Sequence, residues 1–580
     1  SGSFIPSSTA SGRIPSDEST QVDWTFLAPR LQDASVDEPC DFELIISDGD
    51  AMTMIDTDHK RQAIITNAGD GHKRSLQCHL SFGQEQLLAS PGSLPKPMSS
   101  HQREHAIRSV MPSTIYDMLA KMPRELLLSQ TMETQALRRK LAEGSTMVFV
   151  SAGLPGKRFT FQRAAALGIK VVVIEHPDSW SAGLVKEGLI AKFLPVDMSK
   201  SSGEVFNESL RLIRELGKDG LTGTVSGIAT FVELSLPLVA RLCEALALPG
   251  HMPAAVDAAR NKHATRVGLK AAGLPSPRYA LIHTRAEVEA AGQQVGFPAV
   301  LKPVSGAASL GVKKVTNSAE LLKSYHEVAQ ELSTLVVTSG ALVKGDGRQG
   351  GVSANEMVNI AILLEEYLDG SEVDVDVVMS EGQWRYAAVS DNGPTLEPYF
   401  NETWAVSPSM LPADQQLALK NLAVGSVQAL GFTSGVFHVE CKYTSTGPQL
   451  IEVNARMGGG QVRECNLLTW GVDLVEETLF VALGIPAGPM VPKQPLNAVA
   501  YCYLNATRSG CVSDVSGLET LRLRQGVVWA KPLCQVGMEV VGPEKGLPNW
   551  LCDLLVTGKT AAEALRFLHS LDAEQPVKIK

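Results

Sequence analysis

The sequence lacks the marks of several protein classes. Its nine cysteines are scattered through 580 residues with no Cys-x-x-Cys pair, so neither a zinc ribbon nor a disulfide framework is predicted, and reduced thiols in the cytoplasm are expected. No segment reaches the roughly 20 uninterrupted apolar residues that cross a bilayer, so no membrane partner is expected. Basic residues are outnumbered, 52 Lys and Arg against 62 Asp and Glu, and a net charge of −10 argues against a nucleic-acid partner, whose phosphates need a clustered basic surface. An initiator methionine is missing too: the chain opens Ser1-Gly2-Ser3, so no leader can be read from it. What is present is ordinary globular composition, 44% hydrophobic with a mean hydropathy near zero. The length is too great for one core and predicts three or four domains.

The most informative stretch is Gly435-Val436-Phe437-His438-Val439-Glu440-Cys441-Lys442, followed by Gln449-Leu450-Ile451-Glu452-Val453-Asn454-Ala455-Arg456 and the run Gly458-Gly459-Gly460. Apolar and polar residues alternate with period two in both halves, the signature of strands, and Thr444 to Pro448 is rich in turn formers. An antiparallel pair centred near Thr446 sets Glu440 opposite Glu452 and His438 opposite Asn454, all on one face. Opposed residues have Cβ atoms about 4.5–5.5 Å apart, and like charges held so close need a cation between them. Carboxylate and amide oxygens without thiolates suit Mg²⁺, with Mn²⁺ the alternative; Mg²⁺ usually completes its octahedron with water and substrate phosphates. Arg456 continues the face to where it would meet a phosphoryl group. An exposed, merely solvated hairpin is the plain alternative, outweighed by the density of Glu, Glu, Asn and Arg before a glycine run.

The organisation is α/β and α+β multidomain. Residues 1–140 read as a partly disordered N-terminal extension of unassigned function. Ser1 to Thr20 is Ser-rich, Phe42 to Ile46 reads as one strand, and Ala89 to Pro97 reads as a linker. From 141 to 253 the rhythm is βαβ: Met147-Val148-Phe149-Val150, a helix over Phe161 to Leu167, then Lys170 to Glu175. Such continuous apolar strands belong to a parallel sheet, so a Rossmann-like domain is expected. The loop Ser151 to Lys157 is not a phosphate-binding consensus, and Pro155 removes an N–H donor. Residues 254–486 carry the chemistry, and 487–580 read as a small C-terminal α/β module with a strand at Gly526 to Ala530 and a helix from Thr560 to Leu571.

Lys302 ends the strand Pro298 to Leu301, and the small-residue loop Ser305 to Gly311 leads to a second strand, Val312 to Val315. Such a loop brings backbone N–H groups to phosphate, and Lys302 adds a point charge. Lys262 lies in a helical stretch. Ile362 to Leu368, ending Glu365-Glu366-Tyr367-Leu368, offers an edge for adenine, and Glu372 in the alternating strand Gly370 to Val377 could accept from ribose hydroxyls.

In this order the motifs resemble the ATP-grasp superfamily of carboxylate–amine ligases over about Ala254 to Pro486. The βαβ region is similar to that superfamily's pre-ATP-grasp domain, and the last hundred residues to its C-terminal module. Thr230 to Pro237, Gly435 to Glu440, Ile451 to Gly459 and Trp470 to Leu474 resemble the carnosine synthase-like amino-acid ligases. The resemblance implies ATP as cosubstrate, with Lys262 and Lys302 as phosphate contacts under a loop that includes Ser305, Ser309 and Gly311. Glu365 and Leu368 fall at the adenine hinge and Glu372 at the ribose. Glu440, Glu452 and Asn454 become the Mg²⁺ ligands, and Arg456 steadies the acyl-phosphate step. It further implies amino-acid substrates, such as a β-amino acid like β-alanine joined to histidine, and a homo-oligomer. An amino-acid substrate brings its own charges: Glu402 would hold an ammonium, Arg463 would clamp a carboxylate bidentately, and His438 would contact substrate. Two rivals are a non-catalytic nucleotide sensor on the same fold and a zinc peptidase using His101, Glu104 and His105 in an H-x-x-E-H arrangement.

Overall fold

The computed structural model describes residues 42–47, 51–56, 61–66, 113–218, 224–305, 311–333, 335–338, 341–344, 352–353, 361–395, 402–545 and 548–580. Two compact units divide the chain at Pro97 and Met98. In the first, the strand expected at Phe42 is β1 (Phe42–Ser47), and it pairs antiparallel with β2 (Ala51–Asp56), which pairs with β3 (Arg61–Thr66). The Ser-rich start, the Ala89 to Pro97 stretch and the His101/Glu104/His105 motif lie outside the described residues.

In the second unit, β4 (Thr146–Val150), β5 (Lys170–Glu175), β6 (Lys192–Pro195) and β7 (Val225–Ala229) form a parallel sheet in the order β6-β5-β4-β7. Its strands are nearly continuous apolar runs because helices cover both faces; Val148, Val150, Val172, Ile174 and Ile228 lie in one core cluster with Leu242 of the helix Leu236–Ala245.

Three antiparallel sheets follow. β8 (Tyr279–Ile282), β9 (Ala299–Pro303), β10 (Lys313–Val315) and β14 (Ile362–Glu366) make a sheet in the order β10-β9-β14-β8. Between them in sequence, β11 (Leu335–Thr338), β12 (Ala341–Lys344) and β13 (Val352–Ser353) form a small sheet of their own. The large sheet holds β15 (Ser371–Ser380), β16 (Gln383–Asn392), β17 (Trp404–Ser407), β18 (Gly435–Thr444) and β19 (Gly447–Asn454). It then continues through β20 (Ala498–Asn505), β24 (Trp550–Gly558) and β22 (Val527–Pro532), giving the order β19-β18-β15-β16-β17-β20-β24-β22. The C-terminal strands therefore extend the central sheet, while β21 (Gly510–Asp514), β23 (Glu539–Val540) and β25 (Lys578–Ile579) pair beside it. The expected last helix is Ala561–Ala573, capped where the Thr560 hydroxyl accepts from Glu563 N at 3.2 Å.

Period two sorts the large sheet into two unlike faces. Val373, Val375 and Val377 of β15 and Phe437, Val439 and Cys441 of β18 turn to a core shared with Leu419, Leu422 and Val427 of the helix Ala413–Ala429. The opposite face carries Glu372, Asp374 and Asp376, then His438, Glu440 and Lys442, then Glu452 and Asn454, in register as Asp374↔Glu440↔Glu452 and Asp376↔His438↔Asn454. Between β14 and β15 the chain turns at Gly370, with φ +81°, where an added Cβ would stand 2.0 Å from Tyr443 O; only glycine fits. Among the described residues no helix is long and apolar enough to cross a membrane.

Candidate active site

The hairpin has the register expected at its polar residues, Glu440↔Glu452 and His438↔Asn454, but its turn is tighter, pairing Thr444 with Gly447. A bulge at Ile451, between Glu440/Cys441 and their partners, absorbs the extra residue. The bulge also leaves Ile451 O to accept from Arg266 Nη2 at 2.7 Å.

The Asn454 amide nitrogen lies 3.2 Å from Glu440 Oε1 and 3.4 Å from Glu452 Oε1, in the place between two carboxylates where a cation would sit. Burial pushes the Glu440 carboxyl well above its usual range, and the charges of Glu452 and Asp374 push it further. Glu452 behaves oppositely: burial would raise it, but Lys262, with Nζ 2.6 Å from Glu452 Oε2, holds it down at about 2. The same contact raises Lys262 against the lowering effect of burial. One lysine thus satisfies one of two facing carboxylates. Two carboxylates and an amide fit a hard divalent ion, and since no group of three or more His, Cys, Asp or Glu suited to a metal occurs among the described residues, phosphate oxygens and water would supply the rest of its shell.

Lys302 sits on β9 across from Leu363 of β14, with Nζ 2.5 Å from Glu365 Oε2. Arg266, one helical turn beyond Lys262, reaches Glu365 Oε1 at 2.6 Å through Nε and Oε2 at 3.2 Å through Nη2. Burial would raise Glu365, yet Arg266 and Lys302 hold it at about 2; burial lowers Lys302 in spite of Glu365. The expectation for Glu365 changes accordingly: its buried side chain is the counter-ion of two cations and its backbone is paired on both sides, with Tyr279 and Val300. Leu368 follows β14, just before the Gly370 turn. Ser305 and Gly311 flank the predicted loop, and Ser309 lies outside the described residues.

Glu372 is 3.6 Å from Lys442 Nζ, and its carboxyl is pushed to about 7 by burial over the opposing charge of Lys442. It lines a narrow cleft with Asp374, Asn392, Glu402, Tyr501 and Tyr503. Glu402, exposed to that cleft, is raised by desolvation and by the charge of Asp374.

Two expectations are corrected. His438 is not free for substrate: its Nδ1 lies 2.8 Å from Asp376 Oδ1 and its Nε2 3.7 Å from Asp374 Oδ1. Burial would lower it, but those two acids raise it to about 10, leaving a buried imidazolium. Gly458 packs on this ring, where an added Cβ would be 2.7 Å from His438 Nδ1, which accounts for part of the glycine run. Nor is Arg463 an open clamp. It already makes a bidentate pair with Asp473, Nε to Oδ1 at 3.0 Å and Nη2 to Oδ2 at 2.6 Å, and meets Glu464 at 3.1 Å. A cation held by two carboxylates has no charge to spare.

Arg456 donates from Nη2 to Asn454 Oδ1 at 3.2 Å and from Nη1 to Met457 O at 2.9 Å. Its Nε is 2.8 Å from Glu233 Oε2, an ion-pair distance without hydrogen-bond direction, since both atoms lack a directed partner. Glu233 also lies 3.4 Å from Arg260. Residues not singled out from sequence therefore include Arg266, Asp374, Asp376, Glu233 and Lys157. Asp374 and Asp376 had a signal, the i+2 and i+4 places after Glu372 in an alternating strand; Arg266 had a weaker one, four residues after Lys262 on a helix.

The comparisons with known proteins agree with this layout. Residues 295–464 match the ATP-grasp domain family and residues 161–250 the ATP-grasp N-terminal domain family. The chain is 33% identical to carnosine synthase 1 of Gallus gallus over 410 residues, 68% of this chain and 41% of that protein. It is 32% identical to carnosine synthase 1 of Homo sapiens over 411 residues, 69% and 47% of the two. It thus spans less than half the length of these relatives. The structure resembles an L-amino acid ligase from Bacillus licheniformis with TM-score 0.62 and 22% identity, covering 76% of this chain and 99% of the other.

Proposed function

From its ATP-grasp fold as premise, we propose that this chain is an ATP-dependent carboxylate–amine ligase that joins two amino acids through an acyl phosphate. The observation that carries the reading is the Glu440/Glu452 pair, half-buried, facing and one positive charge short, flanked by Lys262 on one side and Arg456 on the other. Names among the relatives, carnosine synthase and alanine–anticapsin ligase, support it, and they make an amino acid such as β-alanine and an amine such as histidine's the first substrates to try.

In the first step a carboxylate oxygen of one amino acid bonds to the γ-phosphorus of ATP, the bond to the β,γ-bridging oxygen breaks, and ADP leaves. In the second, the amine of the other amino acid attacks the acyl carbon; the C–N bond forms, phosphate departs and the amine loses a proton. There is little for the protein to do but position charge. Lys302, fixed by Glu365, and Lys262, fixed by Glu452, would meet the phosphates from rigid elements, and Arg456 would meet the transferring group. Leu368 would lie at the adenine and Glu372 at the ribose, with Glu402 facing the amino-acid side of the cleft. A divalent cation, Mg²⁺ by preference, would be held by Glu440, Glu452 and Asn454 and when bound neutralises phosphate charge. We assign residues 141–253, 254–486 and 487–580 to the Rossmann-like domain, the ATP-grasp domain and the C-terminal module. The free thiols of the seven described cysteines support a reducing compartment, the cytoplasm.

The test is an all-by-all amino-acid screen with ATP and Mg²⁺, reading ADP and product mass. A ligase gives a peptide product with some pair, and Glu452→Gln and Arg456→Ala lose ADP release while remaining folded. ATP binding with no product from any pair favours a sensor.

A further inference from the structure

We propose that Lys157 and Arg456 together hold the carboxylate that the first step activates, so that the Rossmann-like domain supplies part of the active site. The inference rests on the ligase reading and adds the residue that binds the carboxylate of the first amino acid. Lys157 ends the turn Pro155–Lys157 that follows β4, where the chain leaves the C-terminal edge of a parallel sheet, the usual side for ligands in such folds. Its ammonium is turned inward, and Nζ donates to Phe231 O in the loop after β7. Two residues on, Glu233 lies against Arg456 and Arg260. An added Cβ at Gly153 would stand 3.0 Å from Lys157 Cδ, so the loop closes tightly on the lysine stem.

Charge and order along the site make this cluster an anion site. Two cations, Arg260 and Arg456, share the single carboxylate of Glu233, and Lys157 adds a third positive charge close enough to feel both Glu233 and Arg456, whereas Lys262 is neutralised by Glu452. Hydrogen bonds and ion pairs run without a break from Glu452 through Asn454 and Arg456 to Glu233. Burial, and then the charge of Arg456, lower the Lys157 ammonium to about 8 against the raising effect of Glu233; an incoming carboxylate would offset both.

Hydroxylamine traps an acyl phosphate as a hydroxamate, which reads the first step without knowing the amine. In the full chain with ATP and Mg²⁺, Lys157→Met is expected to raise the half-saturating concentration of the carboxylate substrate by about tenfold or more, the worth of one charge-assisted hydrogen bond. Affinity for Mg²⁺ and β,γ-imido-ATP is expected to stay within about twofold. Wild-type half-saturation should weaken as pH rises through about 8, and Lys157→Arg, which cannot lose its proton, should remove that limb. This second readout needs no truncated side chain and still decides if Lys157→Met does not fold. Unchanged half-saturation in Lys157→Met, an equal loss of nucleotide affinity, or the same pH limb in Lys157→Arg overturns the inference and leaves Lys157 a loop anchor. Absence of hydroxamate from any amino acid in the wild type overturns the ligase reading with it.

Discussion

Two ionic clusters, one buried and one half-buried, lie side by side in this chain, with opposite charge balance. In the first, Lys302 and Arg266 share the one carboxylate of Glu365, and every partner is within 3.2 Å. In the second, Glu440 and Glu452 share Lys262, which touches only Glu452 at 2.6 Å, and Glu440 is left to be raised far above its normal range. In the first the carboxylate is fully engaged and fixes a lysine in place. The second has a deficit that a ligand cation can fill. The count of charges separates the two.

Single substitutions at the carboxylates break this comparison most sharply. Glu365→Gln leaves two buried cations without a counter-ion, and removing one partner of a buried pair costs about 3–5 kcal/mol, so denaturant unfolding should show the largest loss here. Glu440→Gln removes a charge that opposes folding. Its stability without metal should stay within about 1 kcal/mol of wild type or rise, while ADP release is lost. An equal penalty in both variants would erase the distinction.

Ligand linkage comes next. Adding Mg²⁺ to protein already saturated with nucleotide should stabilise the wild type by about 2.7 kcal/mol at a hundred times its Kd and should not stabilise Glu440→Gln further, as thermal unfolding would read. The acid limb of stability then sharpens the closed cluster. Glu365 is depressed to about 2 from its usual 4.5, so its contribution is fully present above the unfolded value and is lost as pH falls from 4.5 toward 2. In Glu365→Gln that segment of the stability curve should flatten. The smallest effect is expected at Arg463, another closed pair. Arg463→Ala should change amino-acid half-saturation by less than about twofold, and a larger change would restore it as a substrate clamp.

The polar face of the hairpin was legible in the sequence because it depends on local rules: period two, a turn-forming segment and the addition of paired positions. That arithmetic held at Glu440 and Glu452 even though the turn is one residue tighter, because the Ile451 bulge restores the register. The parallel sheet and the Lys302 strand were legible for similar reasons. What was not legible was pairing between elements: Arg266 to Glu365, His438 to Asp376, Lys157 near Arg456 and, only ten residues apart, Arg463 to Asp473. A one-dimensional pattern shows that a charge exists, and only the fold shows whether its partner is already present. That is why Glu365, His438 and Arg463 changed roles. The continuation of the central sheet into β20, β24 and β22 was hidden for the same cause, since strand pairing across more than ninety residues, as between β17 and β20, leaves no local trace.

The most direct test of the central claim is calorimetric titration of Mg²⁺ into protein saturated with β,γ-imido-ATP, comparing wild type with folded Glu440→Gln. The account predicts a binding isotherm for the wild type and none for the variant. Mg²⁺ binding of equal affinity in both would show that the charge-deficient pair is not the metal site.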